Sequence, residues 1–178
     1  MDKKEGAVVL AENDYEDLEL WVPLMRLREN GMDVQVVAPE AGKTYLSKHG
    51  YPVQSDAAPG DVVAAEVGLL VVPGGYAPDR MRRHKPMVDL VRHVHDLGGT
   101  VAIICHGGWM ACSAGILEGR KATSFFAIRD DMENAGAEWV DESVVVDGNL
   151  ISSRTPDDLP LFCRAILKVI GQRYTTLA

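Results

Sequence analysis

The chain has 178 residues and a mass of 19.4 kDa, with a formal net charge of −8 and a sequence pI near 5.1; that length makes one domain with a substantial core and leaves no room for two. Lysine and arginine form no run longer than Arg82-Arg83, so a nucleic-acid footprint is absent, and no apolar run approaches the roughly 20 residues of a membrane span. Cys105, Cys112 and Cys163 are an odd set without paired spacing, and Met1-Asp2-Lys3-Lys4-Glu5 has none of the long apolar region of a signal peptide; both argue for a reducing cytoplasm rather than a secreted disulfide framework.

In chain order, the apolar run Gly6–Ala11 predicts a first strand, and a helix follows over about Glu16–Asn30, with Asp14 placed to cap it and Gly31 to close it. Val34–Ala38 is a second strand and Val67–Pro73 a third. Pro86 opens a helix that Gly98-Gly99 closes, Val101–Ile104 is a fourth strand, and Gly108–Ala114 is a helix closed by Gly115. The remainder predicts an extended segment Lys121–Phe126, a helix near Ile128–Ala135 and a hairpin of Ser143–Val146 with Leu150–Ser153, turned by Asp147-Gly148-Asn149. A last helix runs from Asp157 to about Ile170. The apolar runs lack alternation, as parallel strands buried on both faces do, and their regular exchange with helices implies an α/β fold with a doubly wound, mostly parallel sheet. In such a sheet ligands bind outside the carboxyl ends of the strands, where Glu12–Glu19, Gly74–Asp79 and Cys105–Gly108 all fall.

Of these, Thr100–Trp109 is the most telling. A buried β-branched run stops at Cys105 and is followed by His106, Gly107 and Gly108, the pattern of a nucleophile elbow, in which a strained residue sits between small neighbours. The helix amino terminus beneath it is expected to favour the thiolate. Glu16 and Glu19 lie three apart at the start of the first helix. Glu16 reads as a complement to the helix dipole. Glu19 reads as an acid beside the thiol, because Leu18, Leu20, Val22 and Leu24 press that stretch against the sheet and desolvate the carboxyl group. Gly74-Gly75 allows close approach of backbone N–H groups, so Gly75 and the N–H of His106 are candidate oxyanion donors; the same pair reads equally as a tight turn. Adjacent side chains diverge, which turns the His106 imidazole away from the thiol, and Asp79 is the nearest acid to orient it or else a surface aspartate. His93 and His95 are two apart on a helix and do not share a face, so no metal site and no cofactor is expected.

These motifs resemble the PfpI family of the ThiJ/PfpI superfamily from about Ala7 to Ile170. The resemblance rests on Tyr15-Glu-Asp-Leu-Glu19-Leu, Lys48-His-Gly-Tyr-Pro-Val53, Val72-Pro-Gly-Gly-Tyr-Ala-Pro-Asp79, Ala102-Ile-Ile-Cys-His-Gly107, Ile128 to Trp139 and Val144-Val-Val-Asp-Gly-Asn149. It implies a flavodoxin-like sandwich with Cys105 as nucleophile, Glu19 as its acid partner, and Gly75 with His106 as the oxyanion hole. It also implies a homo-oligomer, a dimer or a hexamer built from dimers, in which Asp79 matches the acid that reaches His106 from a neighbouring subunit. Gly108 replaces a proline common in close relatives, and Phe125 stands where the archaeal peptidase has a pocket tyrosine.

The activity this implies is that of a cytoplasmic stress-response enzyme whose Cys105 attacks a small reactive carbonyl, such as methylglyoxal, or its early adducts on protein and peptide substrates. The competing readings are an intracellular peptidase with an intersubunit Cys105-His106-Asp79 triad, and a redox sensor or chaperone built on the same cysteine. A glutamine amidotransferase shares the elbow but needs a later histidine, and none follows His106.

Overall fold

The computed structural model describes residues 6–175, so the amino-terminal Met1–Glu5 reading lies outside the described residues. In chain order the elements are β1 (Gly6–Leu10), α1 (Asp17–Glu29), β2 (Val34–Val37), β3 (Thr44–Leu46), β4 (Pro52–Gln54), β5 (Val67–Val72), α2 (Ala77–Met81) and α3 (Lys85–Asp96). There follow β6 (Thr100–Ile104), α4 (Gly108–Ala114), β7 (Lys121–Ala122), α5 (Arg129–Asn134), β8 (Glu138–Trp139), β9 (Val144–Asp147), β10 (Leu150–Ser153) and α6 (Leu159–Thr175). Six strands form the central sheet in the order β2-β1-β5-β6-β10-β9, parallel except for β9. Every residue of β6 is buried, as is nearly all of β1 and β5, which is why these strands read as unbroken apolar runs. Among the described residues no helix is long and apolar enough to cross a membrane.

The topology decides where a site can form. From β1 the chain crosses through α1 to β2 on one side, and from β5 through α3 to β6 on the other. Right-handed crossovers running in opposite directions put their helices on opposite faces, so the winding reverses between β1 and β5, and the carboxyl ends of these strands are where such a sheet places a site. The helices pair accordingly, α1 against α6 and α3 against α4.

Several local expectations are corrected. Asp14 does not cap α1: it has φ 64° and pairs with Arg80, while Glu16 takes the N-cap position without a side-chain cap. Leu18 is 52% exposed, and Leu20, Leu24 and Leu27 form the buried stripe with Glu19. The β3–β4 hairpin escaped the periodicity because each strand is three residues long with one buried position. Of Lys121–Phe126 only Lys121–Ala122 is strand, paired with β8. The carboxy-terminal hairpin forms where expected and completes the sheet: β10 lies parallel beside β6 with Leu150 opposite Val101 and Ser153 opposite Ile104, and β9 is the sheet edge.

Asn149 shows how the hairpin is joined to the sheet. It was legible as a turn residue, yet its Nδ2 donates to the carbonyls of His95 (3.0 Å) and Gly99 (2.8 Å), which ties the turn to the end of α3. Asn149→Ala leaves both acceptors without that donor and is expected to cost about 1–3 kcal/mol. Urea unfolding checks this, with a lowered midpoint at unchanged slope as the expected result.

Candidate active site

At the end of β6 the chain turns through Cys105–Gly107 directly into α4. Cys105 has φ 58°; it and Asp14 are the two non-glycine residues with positive φ among those described. A cysteine in the left-handed region costs about 1–3 kcal/mol, held here by the strand on one side and the helix on the other. This is the strained elbow that the run of residues predicts.

Glu19 comes from the first turn of α1 and is fully buried. Its Oε2 accepts the Gly74 N–H at 2.8 Å, while Oε1 is buried without a hydrogen-bond partner; the carboxyl group and the Cys105 thiol are close enough to interact. Gly74 separates acid and nucleophile: a Cβ there would lie 2.6 Å from Glu19 Oε2, 2.8 Å from Cys105 Cβ and 2.9 Å from the His106 nitrogen, so no side chain fits. Gly75 has φ 74°, and a Cβ would lie 2.5 Å from both the Asp14 oxygen and the Glu16 nitrogen, because the loop after β5 is laced to the loop after β1. That lacing is made by the Glu16 N–H to the Gly74 oxygen (3.2 Å) and the Tyr76 N–H to the Asp14 oxygen (2.9 Å). The backbone N–H groups of Gly75 and His106 lie near enough to the sulfur to favour its thiolate, against the burial that opposes it.

Burial pushes Glu19 up to about 8, so it holds its proton at neutral pH. Burial, with the Glu19 carboxylate second, also pushes the Cys105 thiol up to about 12. The expected lowering by the helix amino terminus is therefore overridden by desolvation. Both groups hold their protons at neutral pH, and an ionised Glu19 carboxylate is the base placed to accept the thiol proton.

The imidazole of His106 does not diverge: its Nδ1 lies 3.3 Å from Cys105 Sγ. The ring is held between Trp109 (centroids 5.0 Å apart) and Phe125 (4.9 Å), and burial lowers its pKa, keeping it neutral. Asp79 is not brought to it. That residue lies on α2 and pairs with Arg83, and among the described residues no carboxylate lies within ion-pair distance of His106. The cleft holds about 410 Å³ and is lined also by Lys48, Tyr76, Trp109, Thr155 and Pro156. Sequence reasoning gave these residues no role. For Lys48 a signal existed, since it opens one of the six motifs. Glu16, read as a dipole complement, is buried and forms an ion pair with Lys48.

Two outcomes follow from the buried carboxyl. Alkylation of Cys105 by iodoacetamide is expected to rise through pH about 8 in the wild type, as Glu19 ionises, and to lose that step in Glu19→Gln; superimposable pH profiles would refute the coupling. Because the folded pKa of about 8 lies above the ordinary 4.5, the unfolded chain gives up this proton first as pH rises. Wild-type stability therefore falls relative to Glu19→Gln between those two pH values, measurable as a widening gap in melting temperature.

The geometry has close counterparts. A family model described as the DJ-1/PfpI family matches residues 5–169. The chain is 46% identical over 161 residues to the deglycase PfpI of Pyrococcus furiosus, covering 90% of this chain and 96% of that one. It is 40% identical over 173 residues to protein/nucleic acid deglycase 2 of Escherichia coli, covering 96% and 99%. Among solved structures, a two-domain protein of Anabaena variabilis with DJ-1/ThiJ/PfpI-like and ferritin-like domains superposes with a TM-score of 0.92 at 40% identity, over 94% of this chain and 48% of that one, so this chain spans about half of its length. On the family match and on relatives at this identity over nearly their whole length, the chain belongs to the DJ-1/PfpI family.

Proposed function

We propose that the protein is a stress-response enzyme of the deglycase type that uses Cys105 on reactive carbonyls, methylglyoxal or the early adducts it forms on amines and thiols. The observation that carries this reading is the buried Glu19 carboxyl beside the Cys105 thiol, across a glycine that admits no side chain. Two relatives named as deglycases support it.

The chemistry suits that pair. The cycle starts from the ionised form of Glu19: the sulfur bonds to the aldehyde carbon while its proton passes by way of the carboxylate to the aldehyde oxygen, giving a hemithioacetal whose oxygen faces the N–H groups of Gly75 and His106 and leaving Glu19 ionised again. The Glu19 carboxylate, whose raised pKa makes it a stronger base than an exposed glutamate, then takes the proton from the carbon bonded to sulfur. It returns that proton to the neighbouring carbon as the hydroxyl proton moves to the former ketone oxygen. The product is a thioester of lactate, and water cleaves its carbon–sulfur bond, releasing lactate and restoring the thiol. On an adduct the same attack displaces the amine or thiol that carries the carbonyl fragment.

A peptidase reading draws on the 3.3 Å contact of His106 with Cys105. It requires a second subunit to supply the acid, since Asp79 of the same chain is held by Arg83. The test that separates the readings is lactate formation from methylglyoxal by wild type and Cys105→Ser in a buffer free of amines and added thiols. Turnover by the wild type with only background in the variant is the expected result; equal rates would overturn the role of Cys105.

A further inference from the structure

The isomerisation moves charge to a place that the oxyanion donors do not reach. The Gly75 and His106 N–H groups lie beside the sulfur, where they would meet the oxygen on the carbon it attacks. When the proton leaves that carbon, negative charge develops on the oxygen of the next carbon, which needs a donor of its own. The cleft offers few. Trp109 Nε1 already donates to Asp131 at 2.8 Å, the His106 imidazole is neutral, and Tyr76 and Thr155 carry uncharged hydroxyls. Lys48 brings the positive charge to the lining.

Its placement is built rather than incidental. The Lys48 N–H donates to the Tyr15 oxygen (3.0 Å), Ser47 Oγ donates to Asp17 (2.5 Å) and His49 Nδ1 meets Asp17 (2.8 Å), so the loop after β3 is fastened to the start of α1. The ammonium pairs with the buried Glu16, which itself sits one turn before Glu19. An ammonium has three N–H donors; Glu16 takes one, and no other described acceptor engages the rest.

From this placement we infer that Lys48 is a catalytic residue: its ammonium donates to the oxygen of the carbon adjacent to the one bonded to Cys105 and stabilises the charge that develops there. The inference rests on the carbonyl reading above. Lys48 donates throughout and keeps its own protons, so the balance of the isomerisation is unchanged. Glu16 holds the amine charged and in place.

The test is steady-state lactate formation from methylglyoxal by wild type, Lys48→Met and Lys48→Arg, with iodoacetamide alkylation of Cys105 measured on each above the Glu19 step. Because Lys48→Met strands a buried carboxylate, the double variant Glu16→Gln/Lys48→Met removes both members of the pair and keeps the test open if the single variant misfolds. The expected result for both methionine variants is a kcat lowered about 10²-fold, with KM and alkylation within about threefold of wild type and partial recovery in Lys48→Arg. A kcat within about threefold of wild type would overturn the inference alone, as would alkylation falling in parallel with kcat. Absence of lactate from the wild type itself would overturn the carbonyl reading and this inference with it.

Discussion

The structure turns on one costly placement, a carboxyl group with no exposed surface set against a thiol. An ionised carboxylate in that position would forfeit its hydration with a single N–H, that of Gly74, as a compensating donor. The group holds its proton at neutral pH instead, and once ionised it is a stronger base than an exposed glutamate. Gly74, Gly75 and the positive φ of Cys105 are the local consequences: the acid and the sulfur approach so closely that the chain between and around them must be free of side chains or bent into a strained conformation.

The fold makes that approach possible. The three segments arrive from α1, from the loop after β5 and from the end of β6, all beside the boundary where the winding of the sheet reverses. Their relative positions are set by main-chain hydrogen bonds between the loops after β1 and β5, so the acid is fixed by backbone geometry rather than by side-chain packing. The same lacing accounts for Asp14: its left-handed conformation lets its carbonyl accept from Tyr76, while its carboxylate turns outward to Arg80.

Much of this was legible before any coordinates. Unbroken apolar runs announce strands buried on both faces, and the stop at Cys105-His106-Gly107-Gly108 announces the elbow, because only a short list of residues tolerates that turn. What stayed hidden depends on contacts that no local pattern encodes. The burial of Glu19 was inferred from its neighbours, but Leu18 points to solvent, so the desolvation comes from the crevice and not from the whole helical stretch. The helix dipole is legible in the sequence, whereas the loss of solvent around the sulfur, which outweighs it, is a property of the assembled site. The orientation of His106 follows from Trp109 and Phe125 closing on either side of its ring, and Phe125 comes 19 positions later in the chain, beyond α4 and β7, where periodicity does not reach. The pairing of Lys48 with Glu16 joins a short hairpin to a helix start, a contact between elements of which one was not foreseen.

The chemistries open to one sulfur differ in what they ask of the surrounding protons. Cleaving an amide requires an acid that can protonate a leaving amine, and an imidazole does so when it is charged and oriented by a carboxylate. In this subunit burial keeps His106 neutral, and among the described residues no carboxylate pairs with it. Rearranging a free carbonyl such as methylglyoxal has no such leaving group. It needs a base that takes a proton from one carbon and returns it to the next without losing it to water, and a sealed carboxyl with a raised pKa meets that need better than an exposed one. The burial of Glu19, costly to the fold, thus favours proton relocation within a bound carbonyl over amide hydrolysis, and a peptidase activity would require a neighbouring subunit to change the charge state of His106 before Cys105 could use it.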